Sequence, residues 1–323
     1  MISFLSSPKP FIGIVGENQR RAISNWMSSV PEAEVIIYGD APGTAEVCQE
    51  LGAIHIPQIS CSSSGVPYYD AIAAHAAEFG RYDLQVYCNC DILFANETLI
   101  KTISNVNFDS FLLIGQRIDL NEGIVPNTKG DMWLSELTKL QSDNMACVSL
   151  PHAKDYFIFK RGFWNKLKPL VIGRGGYDDA LVAYALRKQI PVVDCTLSIV
   201  AFHQFHDYGH VPSGKKQVMR GEDAARNMKL HSIVDSFRNS DSDYQIQNGK
   251  ILPNHANGDW LRYLELFARF RLKQEWSVYP FRVLWHTLVR SKLYKARLLA
   301  LSDIIAMLDN QQTSNGGKFP NEA

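Results

Sequence analysis

The first ninety residues alternate short β-rich runs with helical patterns, and nothing else in the chain constrains its fold as strongly. FIGIV at 11–15 reads as a strand, Asn18 to Ser29 as a helix, EVIIY at 34–38 as a second strand and Thr44 to Leu51 as a second helix. AIHI at 53–56 reads as a third strand, 57–67 (PQISCSSSGVP) as a loop, 68–79 as a helix and LQVYCN at 84–89 as a buried strand. Repeated strand–helix–strand units build a parallel sheet, so the expected class is α/β. The alternation loosens afterwards. A helix is expected near Asn96–Ile103, with strands in SFLLIGQ at 110–116 and DYFIF at 155–159. The segment IGRGGYDDALVAYALRKQIPVVD sets a Gly-rich turn before a helix and a strand after it, and SIVAFHQFHDYGH leaves a strand carrying three histidines. Residues 211–255 are rich in turn formers, with a helix around Gly221–His231 and a hairpin-like piece near 244–252.

The 33 basic and 33 acidic side chains cancel, so no overall field gathers a polyanion, which disfavours nucleic acid as a partner. Six cysteines without a CxxC pair fit a reducing compartment. MISFLSSPKPF lacks a basic start followed by an apolar run, and no later stretch is apolar enough to span a bilayer, so a cytoplasmic location is expected. Between Arg262 and Arg297, nine basic residues stand against Glu265 and Glu275, interleaved with Phe267, Phe270, Trp276, Phe281 and Trp285. Such a helical pattern at 260–300 can lie on an anionic membrane surface, or pack on an α/β domain with its basic face outward.

The strand at 84–89 runs straight into Cys90 and Asp91, placing Asp91 at the carboxyl end of a parallel strand, where open α/β sheets bind ligands. A carboxylate there can hold Mn2+ or Mg2+, and it can equally end the strand or cap the next helix. Asp40 ends the second strand and suits nucleoside N–H and O–H donors, or an Asx-type turn before Pro42. Ser64 and Gly65 let backbone approach a nucleotide, or form a flexible connector. Asp178 and Asp179 open a helix after Arg174-Gly175-Gly176-Tyr177, positions that serve a general base or a cap. His203 continues its strand's inward alternation with Ile199 and Ala201, as a metal ligand or a core histidine. His206 and His210 are further candidates, and Arg174 could neutralise phosphate charge.

The order of these elements, the strand ending in Asn89-Cys90-Asp91, the later GGYDD and the His-bearing strand together resemble the GT-A fold glycosyltransferases, in particular bacterial family-2-like members. GGYDD resembles the W-G-x-E-D stretch of galactosyltransferase-type enzymes. The resemblance covers roughly residues 10–235 and implies a Rossmann-like nucleotide-binding fold, with residues 8–235 as catalytic domain, 236–310 as a helical extension and 311–323 as a disordered tail. It implies that Asp91 and a histidine, His203 first, hold a divalent cation on the donor diphosphate. Asn89 takes the first acidic place of a D-x-D motif, bringing an amide oxygen without charge. Asp40 would meet the base or ribose, and Asp178 or Asp179 the acceptor hydroxyl. The implied activity is hexosyl transfer from a UDP- or GDP-sugar to a glycan or lipid-linked acceptor in glycan or polysaccharide synthesis, leaning to inversion. A sugar-phosphate nucleotidyltransferase shares the front half but carries an early Gly-rich basic loop, which GIVGEN lacks. A non-catalytic nucleotide- or carbohydrate-binding module is the other alternative, kept open by Asn89.

Overall fold

The chain alternates as expected, but from a different first strand. In the computed structural model, which describes residues 1–30, 32–130, 132–206, 214–230, 237–254 and 300–315 with Pro280, Val283, Leu284 and Thr287, β1 is Ile2–Ser6. FIGIV at 11–15, expected as a strand, is the lead-in and first turn of α1 (Gly13–Met27). The reason is burial. All five residues of β1 are buried, whereas Ile12 is 69% and Ile14 46% exposed and only Phe11 of the 11–15 run packs against the core, so that run does not form a buried strand. The helical period of Gly16, Gln19, Ile23 and Trp26, all buried, decides the element.

There follow β2 (Glu34–Tyr38), α2 (Thr44–Leu51), β3 (Ile54–Ile56), α3 (Tyr69–Phe79), β4 (Leu84–Cys88), β5 (Ile92–Phe94) and α4 (Asn96–Ser104). Next come β6 (Leu112–Ile114), β7 (Ile118–Leu120), α5 (Met132–Ser142), β8 (Ala146–Val148), β9 (Tyr156–Lys160), α6 (Tyr177–Arg187), β10 (Val192–Asp194) and β11 (Ala201–His203). The described chain closes with α7 (Gly214–Arg220), α8 (Glu222–Leu230), β12 (Tyr244–Gln247), β13 (Lys250–Pro253) and α9 (Leu301–Asn315).

The main sheet has the order β13-β12-β10-β6-β9-β4-β1-β2-β3. β3, β2, β1 and β4 run parallel, β9 is antiparallel to both β4 and β6, and β10 and β12 are parallel to β6 and β10 respectively. This is the expected α/β class, with a Rossmann-like parallel half. Side chains alternate across it, so Phe4 enters a core with Trp26 and Phe94 on one face while Leu5 joins Tyr69 and Tyr87 on the other. The hairpin β12–β13, expected near 244–252, forms and belongs to this sheet, within the residues that the resemblance assigns to a helical extension. Of that extension, α9 packs on α5 through Leu301, Ile304 and Leu308. Among the described residues no helix is long and apolar enough to cross a membrane. The basic, aromatic stretch 260–300 lies almost wholly outside the described residues, as do 316–323 of the expected tail.

A second sheet, β5-β11-β7-β8, stands beside the first, and the chain passes from one to the other through Asn89, Cys90 and Asp91. α1 closes its β5 edge with side chains. The Asn25 amide both donates to the Phe94 carbonyl (3.0 Å) and accepts from the Phe94 N–H (2.9 Å), as a neighbouring strand would, and Trp26 Nε1 donates to the Ile92 carbonyl (2.9 Å). An unpaired edge is thereby satisfied without a further strand, and Asp91 is fixed at the junction.

Candidate functional site

Strand register brings the principal residues together. His203 pairs with Ile92 on one side and with Asp119 of β7 on the other, so it lies between Asp91 and Asp119. Its Nδ1 is 3.1 Å from Asp119 Oδ1 and its Nε2 faces Asp91 Oδ1 at 3.9 Å. With Nδ1–H donating to Asp119, the Nε2 lone pair points at Asp91, an arrangement that orients a metal-ligating imidazole. His206, three residues on, brings Nε2 to 3.2 Å from Asp91 Oδ2. The backbone here is held by Gln204, whose N–H and Nε2 both donate to the Asp91 carbonyl.

Asp91, His203 and His206 each offer a ligand atom within 4.8 Å of the others. Asp91 is buried, and its Oδ1 has no hydrogen-bond partner among the described residues. A buried, unsatisfied carboxylate oxygen beside two imidazoles is costly unless a cation meets it, so these residues fit a divalent ion. Lys9 also reaches them, its Nζ 2.9 Å from Asp91 Oδ2. Burial pushes the Asp91 carboxyl up, but the Lys9 ammonium and the two histidines more than offset it and hold the group well below the usual carboxylate range.

A chain of polar contacts leads from this cluster to the start of α6. Arg117 Nε donates to Asp119 Oδ1 (2.7 Å), and its NH1 pairs with Asp155. Asp155 Oδ1 accepts from Asn89 Nδ2 (2.6 Å), and Asn89 Oδ1 accepts from the Tyr177 hydroxyl (3.4 Å). Asn89, expected near the ribose, thus bridges β9 and α6 with its amide.

Asp178 and Asp179 follow Tyr177 in the first turn of α6, and the buried Lys154 separates their roles. Its three N–H donors go to Asp179 Oδ1 (3.0 Å), the His152 carbonyl (2.9 Å) and the Phe237 carbonyl (2.9 Å). Asp178 Oδ2 stands further from the same ammonium, at 3.4 Å, and is held more loosely. Asp179 also accepts from the Phe237 N–H (3.2 Å). Burial, with repulsion from Asp179, outweighs the attraction of Lys154 and raises the Asp178 carboxyl to about 6.

The remaining candidates lie around this edge. Asp40 is exposed beyond β2. Ser64 Oγ donates to Asp223 of α8 (2.5 Å), and Gly65, next to it, has φ +78°. Arg174 also meets Asp223, its Nε 3.8 Å from Oδ2, so Asp223 joins the serine loop to the glycine turn. His210 lies outside the described residues.

Gly176 carries φ +86° at the N-cap of α6, and Gly175 has no room for a side chain: a Cβ would stand 2.7 Å from the Met219 carbonyl oxygen of α7. Gly175→Ala is therefore expected to cost about 1–3 kcal/mol in urea unfolding by forcing the turn and α7 apart. An unchanged midpoint would show that the contact yields freely.

Sequence reasoning did not find Lys9, Arg117, Asp119, Lys154 or Asp155. A first strand at 2–6 would have put Lys9 at the carboxyl edge; the other four depend on pairing between distant short strands.

No protein-family model matches the sequence, and no curated protein matches it. Solved structures similar in part include S. aureus TarS with UDP-GlcNAc, at 16% identity and TM-score 0.27, covering 39% of this chain and 37% of that one. M. tuberculosis glucosyl-3-phosphoglycerate synthase is similar at 11% identity and TM-score 0.39, over 71% of this chain and 78% of that one. Its complex with Mn2+, UDP and phosphoglyceric acid is similar at 13% identity and TM-score 0.36, over 64% and 71%. Likeness at these TM-scores transfers no activity to this chain.

Proposed function

We propose that the chain is a metal-assisted glycosyltransferase of the GT-A kind, moving a sugar from a nucleoside diphosphate donor to an acceptor hydroxyl. The observation that carries this reading is the Asp91–His203–His206 cluster at the carboxyl end of β4, where open α/β sheets bind ligands. In it the donor lies along the carboxyl ends of β1 to β4. Asp40 hydrogen-bonds the base or ribose, the Ser64–Gly65 backbone approaches the nucleotide and Arg174 lies near the phosphates, while Asn89, its amide engaged by Asp155 and Tyr177, braces the strand end beside the donor. Asp91, His203 and His206 would hold the ion, and their mixed oxygen and nitrogen donors suit Mn2+ better than Mg2+, which prefers oxygen throughout. Bound there, such an ion would offset the charge growing on the leaving diphosphate.

Asp178 takes the acceptor proton on a carboxylate oxygen, while Lys154 and Asp179 fix the helix that presents it. In this reading Asp178 stands on the side of the sugar opposite the leaving diphosphate, so that transfer inverts the anomeric centre. The catalytic unit runs from β1 through α8, extending the expected 8–235 back to residue 2. The donor is a UDP- or GDP-hexose. A glycan or lipid-linked acceptor, with membrane-surface contact through 260–300 of a cytoplasmic chain, completes the reading.

A panel of UDP- and GDP-sugars, scored by thermal unfolding with and without Mn2+, tests it. One donor is expected to stabilise the chain only with Mn2+, by about 2.7 kcal/mol at a hundredfold excess over Kd. Asp91→Asn is expected to remove that shift. Absence of a shift with every nucleotide and metal would overturn the assignment, and binding without release of the nucleoside diphosphate would leave a non-catalytic module.

A further inference from the structure

Lys9 occupies the position a metal ligand set would need free. Its Nζ is 2.9 Å from Asp91 Oδ2 and 3.0 Å from His206 Nε2, two of the atoms that face the prospective ion. The backbone beneath it is fixed. Lys9 N–H donates to Gln19 Oε1 (2.7 Å), and Gln19 Nε2 donates back to the Lys9 carbonyl (2.9 Å), with Gln19 itself buried. Pro8 and Pro10 flank the residue, each ring restricting its own φ. The main chain thus holds Lys9 in place while its side chain, 31% exposed, has room to leave.

An ammonium spends its N–H groups on the same lone pairs that a metal would take. Two cations sharing those atoms also repel strongly at such short range. The cluster therefore accommodates one or the other. We propose that Lys9 is an internal cation that alternates with the divalent ion: the metal binds by displacing the Lys9 ammonium, which swings out toward the open carboxyl edge of β1. The proposal rests on the cluster being a metal site. It gives that site two properties. The buried Asp91 charge stays neutralised when no metal is bound, and affinity for the bare ion is held down by the bound lysine.

The test is Mn2+ titration, by electron paramagnetic resonance of the free ion, of the wild-type chain and Lys9→Met. Removing the competitor is expected to tighten Mn2+ binding by about tenfold or more. A second readout uses the wild-type chain alone, so it stands even if the variant fails to fold. Acetic anhydride labelling of Lys9, followed by mass spectrometry, is expected to rise when Mn2+ saturates the site. Equal or weaker Mn2+ binding by a folded Lys9→Met variant, or Lys9 labelling indifferent to bound Mn2+, overturns the competition while leaving the metal site in place. Failure of both chains to bind Mn2+ overturns the competition and the metal site together.

Discussion

Asp91→Asn is expected to lower sugar transfer by about 10²–10³-fold while the chain remains folded, because the change keeps the side chain's shape and removes the charge that meets the ion. The carboxylate is buried at the junction of the two sheets, with Lys9 and His206 on Oδ2 and, among the described residues, no hydrogen bond to Oδ1. An amide still accepts a hydrogen bond from Lys9, but it carries no charge to hold a cation. Steady-state kinetics over a Mn2+ series, with circular dichroism as a check on folding, decide the matter. Wild-type kcat/KM at saturating Mn2+ would remove Asp91 from the site.

Asp178→Asn is expected to lower kcat/KM by about 10²–10⁴-fold, the usual contribution of a positioned base. The donor's Kd should barely move, since the side chain acts on the other substrate. The wild-type profile should rise with pH through an apparent pKa near the value of about 6 to which burial lifts this carboxyl, because only the ionised form accepts a proton. Stability runs the other way. A carboxyl raised above its ordinary pKa binds more protons in the folded chain than in the unfolded one, so its contribution declines as pH rises through that window. The stability of Asp178→Asn relative to wild type should therefore improve between about pH 4 and pH 7. Asp179→Asn should instead act mainly on stability, since Asp179 anchors Lys154 and the Phe237 N–H. A pH profile flat from 5 to 8, or two variants with wild-type kinetics, would return both residues to helix capping.

What was legible in the sequence follows the range of the interactions involved. Asp91 could be found because LQVYCN is a continuous buried strand that runs into it, and His203 because alternation along one strand points it inward. Both signals are local. Asp119 and Arg117 reach His203 only through pairing among β5, β11 and β7, strands of three residues each, too short to display a period. Asp155 and Lys154 enter the site because β9 runs against its neighbours, a direction that composition does not encode. The misplaced first strand has a related cause. FIGIV has a stronger β composition than ISFLS, and only tertiary burial chooses between them. The polar inner face of α1, with Asn18, Gln19 and Asn25 buried, serves strand edges and loops instead of an apolar core, so the helix is legible from Asn18 but its first turn at Gly13 is not.

The reversed strand β9 also sets the order in which this protein can be completed. β4 and β6 are both synthesised before the strand that separates them. While the chain emerges, β4 can pair with β1 on one side, and its other side stays bare until residues 156–160 arrive. A bare apolar strand edge invites pairing with other chains, so the interval between these segments is when the nascent protein is most exposed to aggregation. The arrival of β9 ends that interval and also brings Lys154 and Asp155 to the carboxyl edge. The α6 carboxylates and the two histidines beside Asp91 lie further along the chain, so the β4 edge is closed before the candidate site is complete during biosynthesis.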